Sequence, residues 1–177
     1  MDKISILQQL QDIIAFKQKV LQIINNNVSN KTLMAIDFGT KKIGIAVSDK
    51  AGLIAFPKDV LIGNWLNKDK IIEALTAQIK IYHPIAIVFG LPKTLDGDLH
   101  ENCDTILLVA ETINKTLPVL LLDERFTTKF ANRNIYNKQK LLSHSRTNHH
   151  YQINRNNYDD DMSATIILND VLTILQK

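Results

Sequence analysis

Apolar and polar positions divide the chain into a helical beginning, a strand-rich middle and a helical end. Over residues 4–24 the apolar side chains recur every three or four positions with Gln and Lys between them, which predicts one amphipathic helix. The polar run over residues 25–31 is typical of a linker. We therefore predict a helix and linker over residues 1–30 and a separate domain over residues 31–177. The helix is expected to pack on that domain, with pairing to a partner as the alternative.

After the linker, short apolar runs predict strands. Residues 33–38 and 42–48 flank Gly39 and Thr40, which predicts an antiparallel hairpin, and a third strand is expected over residues 53–62 although it contains Pro57. The later elements are predicted as a helix over 65–82, a strand over 84–91, a helix over 101–117, a strand over 119–122 and a helix over 163–175. The order β-β-β-α-β-α-β-α predicts an α/β fold: a mixed sheet with a three-stranded antiparallel meander first, and helices on both faces.

Composition limits the architecture and the class of partner. With 177 residues and 45% hydrophobic content, the chain can bury one substantial core. A net charge of +3 permits a nucleic-acid partner without requiring one. The charge is unevenly distributed, because no Asp or Glu occurs from Phe126 to Tyr158, and we expect a helix followed by a basic loop there. The basic residues of this segment are Lys129, Arg133, Lys138, Lys140, Arg146 and Arg155.

Cysteine usage and hydropathy indicate the compartment. Cys103 is the only cysteine, so no disulfide can form within the chain and a reducing compartment is favoured. It falls in a predicted helix with no activating neighbour in the sequence, so we expect no catalytic thiol. The start of the chain lacks a secretory signal pattern, and no stretch approaches the ~20 apolar residues of a membrane span. The sequence therefore predicts a soluble, cytoplasmic protein.

Three separated acidic positions carry the candidate chemistry. Asp37 ends an apolar strand, Glu124 follows another, and Asp160 lies in an acidic trio, residues 159–161, that opens the last predicted helix. Each has a structural alternative: Asp37 as a turn residue, Glu124 in a surface ion pair with Arg125, and the trio as a helix cap. Position favours a site, because ligands gather where strands of an open α/β sheet reach their carboxyl ends, and three adjacent acids exceed what a cap needs.

Convergence of the three acids would specify a metal-dependent reaction. Carboxylate oxygens without a Cys or His cluster suit Mg²⁺ or Mn²⁺ rather than zinc. Two such ions could ionise a water and stabilise the leaving oxyanion of a phosphodiester. The three histidines of the basic segment lie in a polar stretch without a companion Cys, so we expect them in solvent or near RNA phosphate: His144, His149 and His150.

Two further features suit a polyanionic substrate. Lys93 lies in the Gly- and Pro-containing stretch GLPKTLDG, a predicted strand-end loop, where its side chain could contact a phosphate. Thr127 or Thr128 could cap a helix that begins beside Glu124 and Arg125, which would direct backbone N–H groups at an anion.

Four ordered motifs carry a family resemblance. The stretches AIDFGTKKIGIAVSD, IVFGLPKTLDGD, LLDERFTT and DxxSATIIL resemble those of the YqgF/RuvX family of pre-16S rRNA nucleases, also described as Holliday junction resolvases, from about residue 33 to residue 175. The resemblance implies an RNase H-like fold and metal-dependent hydrolysis in maturation of the 5′ end of small-subunit ribosomal RNA. It assigns Asp37, Glu124 and Asp160 as catalytic residues and metal ligands, and Arg125 and Thr128 as substrate-binding positions.

The resemblance leaves parts of the chain and several functions open. The predicted helix before Asn30 lies outside the family core, and the segment between Tyr136 and Tyr158 is longer and richer in Asn and His than expected. Either neighbour of Asp160 could replace it as a ligand. The expected partner is precursor ribosomal RNA, bound by a monomer or homodimer. Alternatives are a dimeric resolvase of branched DNA, a non-catalytic RNA-binding assembly factor, and an actin-like ATPase or sugar kinase, which the length disfavours.

Overall fold

A mixed β-sheet with helices on both faces forms the framework of the protein. The computed structural model describes residues 3–26, 28–39, 42–58, 60–62, 67–91, 103–123 and 158–176. Within these residues the strands are β1 (Leu33–Phe38), β2 (Lys42–Ser48), β3 (Ala55–Pro57), β4 (Leu61–Ile62), β5 (Ala86–Leu91) and β6 (Val119–Asp123). The helices are α1 (Lys3–Gln11), α2 (Ile13–Asn25), α3 (Lys68–Tyr82), α4 (Cys103–Asn114) and α5 (Tyr158–Leu175).

The sheet has the order β3-β2-β1-β5-β6, and β4 also pairs with β2. Antiparallel pairing joins β1 to β2 and β2 to β3, whereas β1, β5 and β6 run parallel. The strands of the meander are adjacent in sequence and need only short connections, whereas each parallel pair is joined by a crossover that contains a helix. The predicted α/β class, with its mixed sheet and antiparallel meander, is confirmed.

Large and small side chains separate onto the two faces of the sheet. One face, here called the α3/α4 face, carries Met34, Ile36, Ile43, Ile45, Ile87 and Phe89, which form a core with α3 and α4. The opposite face, here called the α5 face, is covered by α5 and α2 and carries Leu33 and Leu120 beside smaller residues: Ala35, Ala46, Ala55, Ala86 and Val88. Side chains alternate along each strand, so these assignments also fix the face of the residues between them.

The N-terminal helix was predicted wrongly as one element. The structure has two helices with Asp12 between them in an extended conformation, where its carboxylate accepts hydrogen bonds from the N–H groups of Ile14 at 3.0 Å and Ala15 at 2.9 Å. This side chain satisfies two amides of a new helix start, so the chain can change direction there. Leu10 joins the core of the α3/α4 face and Val20 that of the α5 face. These contacts agree with the predicted packing, and the division of the chain at residue 30 stays a prediction.

The predicted third strand is divided into β3 and β4. Ala46 pairs with Pro57 in β3 but Ile43 pairs with Leu61 in β4, so three steps along β2 face four steps along its partner. The partner of β2 is therefore one residue longer between these pairs, and β3 ends at Pro57, which has no N–H to continue the ladder. The N–H of Lys58 instead donates to the carbonyl of Ile45 at 2.8 Å.

The remaining helices and strands differ from prediction mainly at their ends. The last helix begins at Tyr158 rather than residue 163, so the acidic trio lies within its first turn. At the start of α3, Asn67 is the cap, and its side chain accepts from the N–H groups of Asp69 and Lys70. Cys103 is buried in the core of the α3/α4 face, and the expectation of no catalytic thiol stays a prediction. In the part of the chain that is described, no helix is both long and apolar enough to cross a bilayer.

Candidate active site

The carboxyl ends of three parallel strands meet at one edge of the sheet. Ile36 of β1 lies beside Phe89 of β5, and Leu91 at the end of β5 lies beside Asp123 at the end of β6. Asp37 is the penultimate residue of β1. Open α/β sheets bind their ligands in the crevice at the carboxyl ends of their strands.

Asp37 lies on the α5 face between two glycines. Its side chain is half-buried and follows Leu33 and Ala35, which both belong to the core of that face. On one side Asp37 is paired with Gly44 of β2. On the other side the pairing of Ile36 with Phe89 puts Asp37 level with Gly90 of β5. Neither neighbour has a side chain, so the adjacent positions of β2 and β5 contribute only backbone on this face.

Contacts on the opposite face hold the end of β1 in place. The ring of Phe38 stacks on Phe89, with centroids 5.6 Å apart and planes within 8°. Beyond it, the N–H of Gly39 donates to the carbonyl of Lys42 at 2.9 Å and closes the hairpin. A Cβ at Gly39 would lie 3.0 Å from that carbonyl oxygen, so only glycine fits without a shift of backbone. These contacts fix the position from which Asp37 projects.

Small residues bring α5 close to the strands that carry Asp37. The helix contacts β1, β2, β3 and β5. Ala164 of the helix is fully buried with Ala35 and Ala46 of the sheet in one cluster. Asp160 lies one helical turn before Ala164, toward the carboxyl edge of β1. The packing of Ala164 near Ala35, and of Asn169 near Ala55 farther along, directs the start of α5, which carries the acidic trio, toward the carboxyl edge of β1.

Two hydrogen bonds to other elements hold the second half of α5 in place. The side-chain oxygen of Asn169 accepts from the N–H of Ala55 in β3 at 3.3 Å. Lys17 of α2 donates through Nζ to the carbonyl of Ile174 at 3.2 Å. Both contacts lie in the second half of α5, so they fix its position without occupying the candidate site.

Several predicted site residues lie outside the described part of the chain: Lys93, Glu124, Arg125 and Thr128. The same holds for the three histidines and the basic segment. For Asp160 the backbone is described and the side chain is not, and for Asp123 the backbone ends β6. Among the described residues no three His, Cys, Asp or Glu side chains form a group that could hold a metal ion. The assignments of catalytic, metal-binding and substrate-binding residues therefore stay predictions.

Sequence reasoning did not identify the glycines beside Asp37. A signal for Gly44 was present, because a hairpin with a short turn after Gly39 pairs residue 37 with a residue near 44. Gly90 could not be found in this way. Its place beside Asp37 depends on the parallel register of β1 and β5, which are separated by α3 in sequence.

Asp170, an acid of α5 with a raised pKa, does not belong to this site. Burial raises the pKa of the Asp170 carboxyl to about 6. Asp170 follows Asp160 by ten residues of helix, or roughly 15 Å. The distance separates it from the carboxyl edge, so its titration affects the packing of α5 rather than the candidate chemistry.

Similar proteins belong to one family and one fold. The model of the family described as "RuvX: Holliday junction resolvase" matches residues 31–174. A protein of Rickettsia felis named as a pre-16S rRNA nuclease is 37% identical over 152 residues, 85% of this chain and 91% of that protein. A protein of the same name from Rickettsia typhi is 36% identical over 152 residues, 85% of this chain and 90% of that protein.

The fold has solved counterparts. Thermus thermophilus RuvC, in complex with a Holliday junction substrate, has a TM-score of 0.51 with 12% identity and covers 82% of this chain and 95% of that chain. A structure of Thermus thermophilus RuvC alone has the same TM-score, 0.51, with 11% identity over 82% of this chain and 96% of that one. At these identities the likeness concerns the fold alone, and it confirms the predicted RNase H-like architecture.

Proposed function

We propose a specific substrate for this chain, which belongs to the RuvX family of Holliday junction resolvases and is a hydrolase of phosphodiester bonds. It cuts precursor RNA of the small ribosomal subunit at the 5′ end. The reaction takes place in the cytoplasm and uses Mg²⁺ or Mn²⁺. One observation carries the proposal: Asp37 lies half-buried at the carboxyl edge of the sheet, between two glycines, on the face that α5 covers. The names of the relatives from Rickettsia support RNA as the substrate.

Helical register supports Asp160 as a partner of Asp37. Counting back by turns of 3.6 residues from the buried positions Ala164, Ile167 and Leu168, positions 160 and 161 fall on the sheet side of α5. Position 159 falls on the opposite side. We therefore assign the ligand role to Asp160, with Asp161 as the neighbour that shares its side of the helix.

Strand register supports Glu124 as the third acid. Leu120 and Leu122 of β6 both pack in the core of the α5 face. The same alternation carried one step past the last pair of the strand would put residue 124 on that face as well. By that alternation Glu124 is a better partner for Asp37 than Asp123.

The spacing of the strands suits a metal site over Gly90. Since β5 separates β1 from β6, the backbones of residues 37 and 122 are about 10 Å apart, and Glu124 follows Leu122 by two residues. Carboxylates from both sides, with metal–oxygen bonds of about 2.1 Å, can span this gap when the intervening residue has no side chain. Oxygen donors of this kind fit Mg²⁺ or Mn²⁺, which when bound would ionise a water and stabilise a leaving oxyanion.

The chain itself would bind and orient the substrate. In this proposal Asp37, Glu124 and Asp160 hold the metal, and Lys93, Arg125 and Thr128 contact phosphate oxygens of the RNA. Arg offers paired N–H donors that match a phosphate, and Lys a mobile point charge. The stacked pair Phe38 and Phe89 holds the backbone of Asp37, so its carboxylate would be positioned to bind a metal without a rearrangement of the strand.

The decisive experiment compares wild type with Asp37→Asn on a 5′-extended small-subunit RNA precursor and on a four-way DNA junction, each with Mg²⁺, Mn²⁺ or EDTA. We expect only wild type to cut, only the RNA, and only with metal. Asp69→Asn is the matched control, because it makes the same chemical change at an exposed position of α3, which packs on the face of the sheet opposite to Asp37. Unchanged cleavage by Asp37→Asn would overturn the proposal.

Cleavage of branched DNA is the second candidate, because the family description names Holliday junction resolvases. Two cuts across a four-way junction need two active sites, so this activity requires a homodimer. Cutting of the junction by a dimer, with the RNA left intact, would establish it in place of RNA processing. Tight, salt-sensitive binding of the RNA by wild type without cleavage would instead identify an assembly factor.

A further inference from the structure

The two N-terminal helices lie on opposite faces of the sheet at the same edge. Leu10 of α1 is buried in the core of the α3/α4 face, which also contains Leu121 of β6. Phe16 and Val20 of α2 are buried in the core of the α5 face, which contains Leu120. Both helices contact β6. The chain therefore changes from one face to the other beside this strand.

Asp12 makes the change of face possible. It is the one residue between α1 and α2, and its carboxylate caps α2 through the N–H groups of Ile14 and Ala15. Within the described residues β6 is an edge strand that pairs only with β5. The connection at Asp12 thus passes around the free side of β6, and the two helices grip the strand from both faces.

Both helices of this grip are anchored to neighbouring elements. On one face α1 contacts α4, whose Asn114 side chain accepts from the N–H of Val119 at 3.1 Å and ties the start of β6. On the other face Lys17 of α2 donates to the carbonyl of Ile174 at the end of α5. The grip therefore connects β6 to α4 and α5.

We propose that residues 3–25 form a clasp on the edge strand β6 and act as a positioning element for the acids at its end, Asp123 and Glu124. An edge strand has hydrogen bonds on one side only and opens more readily than a central strand. Apolar contacts on both faces, made by a segment that precedes the matched residues 31–174, oppose that opening. The catalytic consequence rests on the proposed function, whereas the protection of β6 does not.

A pair of cap variants tests the clasp. Asp12→Ala and Asn67→Ala each remove a side-chain oxygen that accepts from two amides at a helix start, in α2 and in α3 respectively. Each should cost about the same, near 1 kcal/mol. We expect Asp12→Ala to speed hydrogen exchange of the β6 amides, residues 119–123, by about fivefold, the equivalent of that loss, and Asn67→Ala to leave them unchanged.

A pair of core variants in the full-length protein gives a second measure. Leu10→Ala and Leu75→Ala both remove a buried side chain from the same cluster, one in the clasp and one in α3. Faster exchange in β6 for Leu10→Ala than for Leu75→Ala would support the clasp. Equal exchange in β6 within both pairs of variants would overturn it.

Cleavage kinetics distinguish positioning of the acids at the end of β6 from stabilisation of the strand alone. Because RNA is expected to bind mainly through basic residues elsewhere, Asp12→Ala should lower kcat for precursor cleavage with KM unchanged, and Asn67→Ala should change neither. Faster β6 exchange with an unchanged kcat would overturn the positioning role. If wild type cuts no substrate, the proposed function fails, and the exchange measurements still decide whether the clasp exists.

Discussion

Asp37 of β1 is paired across the hairpin with Gly44 of β2, and the parallel register of the next strand puts Gly90 on its other side. Both glycines are buried. Neither of these two residues has a side chain that would compete with a proposed metal ion or phosphate oxygen beside the carboxylate. This arrangement, more than the acid itself, distinguishes Asp37 from an aspartate that serves a turn.

Gly90→Ala should reduce cleavage more than it reduces stability. The added methyl group would enter the row between Asp37 and β6, where we place the metal, so we expect cleavage to fall at least about tenfold, or 1.4 kcal/mol of activation free energy. Alanine is also tolerated better than glycine within a strand. Initial cleavage rates and urea unfolding midpoints measure the two effects. Wild-type cleavage by Gly90→Ala would show that the space is not used.

Asp→Asn variants of the acidic trio should differ in cleavage rate according to the position of each residue around α5. We expect Asp160→Asn to lower cleavage at least about a hundredfold, because one oxyanion or metal contact is worth roughly 3 kcal/mol. Asp159→Asn, on the side of the helix away from the sheet, should stay within about twofold of wild type. Cleavage rates at saturating Mg²⁺ rank the three variants, with Asp161→Asn as the test of the neighbouring position. Loss of cleavage in Asp159→Asn alone would contradict the register.

Enlarging a small side chain on the α5 face should lower the stability of the protein and raise its Mg²⁺ requirement. Ala46→Val adds volume between β2 and α5 and should lower the free energy of unfolding by about 1–3 kcal/mol. The displaced helix should also raise the Mg²⁺ concentration needed for half-maximal cleavage. Ile43→Val is the control on the other face, where it should cost about 0.5–1.5 kcal/mol without changing the metal requirement. If both variants need the same Mg²⁺ concentration for half-maximal cleavage, the position of α5 does not affect the proposed metal site.

Asp170 should make stability depend on pH between about 4 and 6. Burial raises its pKa from 3.8 to about 6, so the folded protein binds this proton more tightly than the unfolded chain does. Ionisation therefore opposes folding increasingly as the pH rises through that range, and by a constant amount above it. The carboxyl is only half-buried, so solvent screening reduces the effect to about 1 kcal/mol.

Asp170→Asn should accordingly raise Tm at pH 7.5 by about 2–4 °C and have a much smaller effect at pH 4. Thermal unfolding followed by circular dichroism at the two pH values measures the difference. An equal gain at both values would assign the effect to packing rather than to charge.

The basic segment should control the salt dependence of RNA binding. If Arg146 and Arg155 each contact a phosphate, replacing both with Gln should flatten the slope of log affinity against log salt by about 1.4 for single-stranded RNA. Replacing Lys68 and Lys70 of α3 with Gln removes the same charge elsewhere and should leave the slope unchanged. Filter binding at several salt concentrations measures both. Equal slopes in the two double variants would place the segment outside the RNA path.

Local patterns were sufficient for most of the elements and for the candidate acids. Apolar runs, turn residues and helical spacing predicted strands and helices correctly because these signals depend on residues close in sequence. The hairpin of β1 and β2 was also predicted correctly from residues close in sequence, since a short turn fixes its register. Where local signals compete, prediction was wrong: Asp12 ends one helix and caps another inside a continuous apolar pattern, and Pro57 divides an apparent strand.

By itself the sequence determined the order of elements, the mixed sheet and the three acidic positions with their motifs. Only the tertiary structure decided which residues lie beside Asp37, which face α5 covers and how the N-terminal helices grip β6. Parallel register and helix docking bring together residues far apart in the chain, and they follow from the volumes of side chains that meet across the core. No local pattern encodes those meetings, so Gly90, Ala46 and Leu10 acquire their roles only when the sheet is assembled.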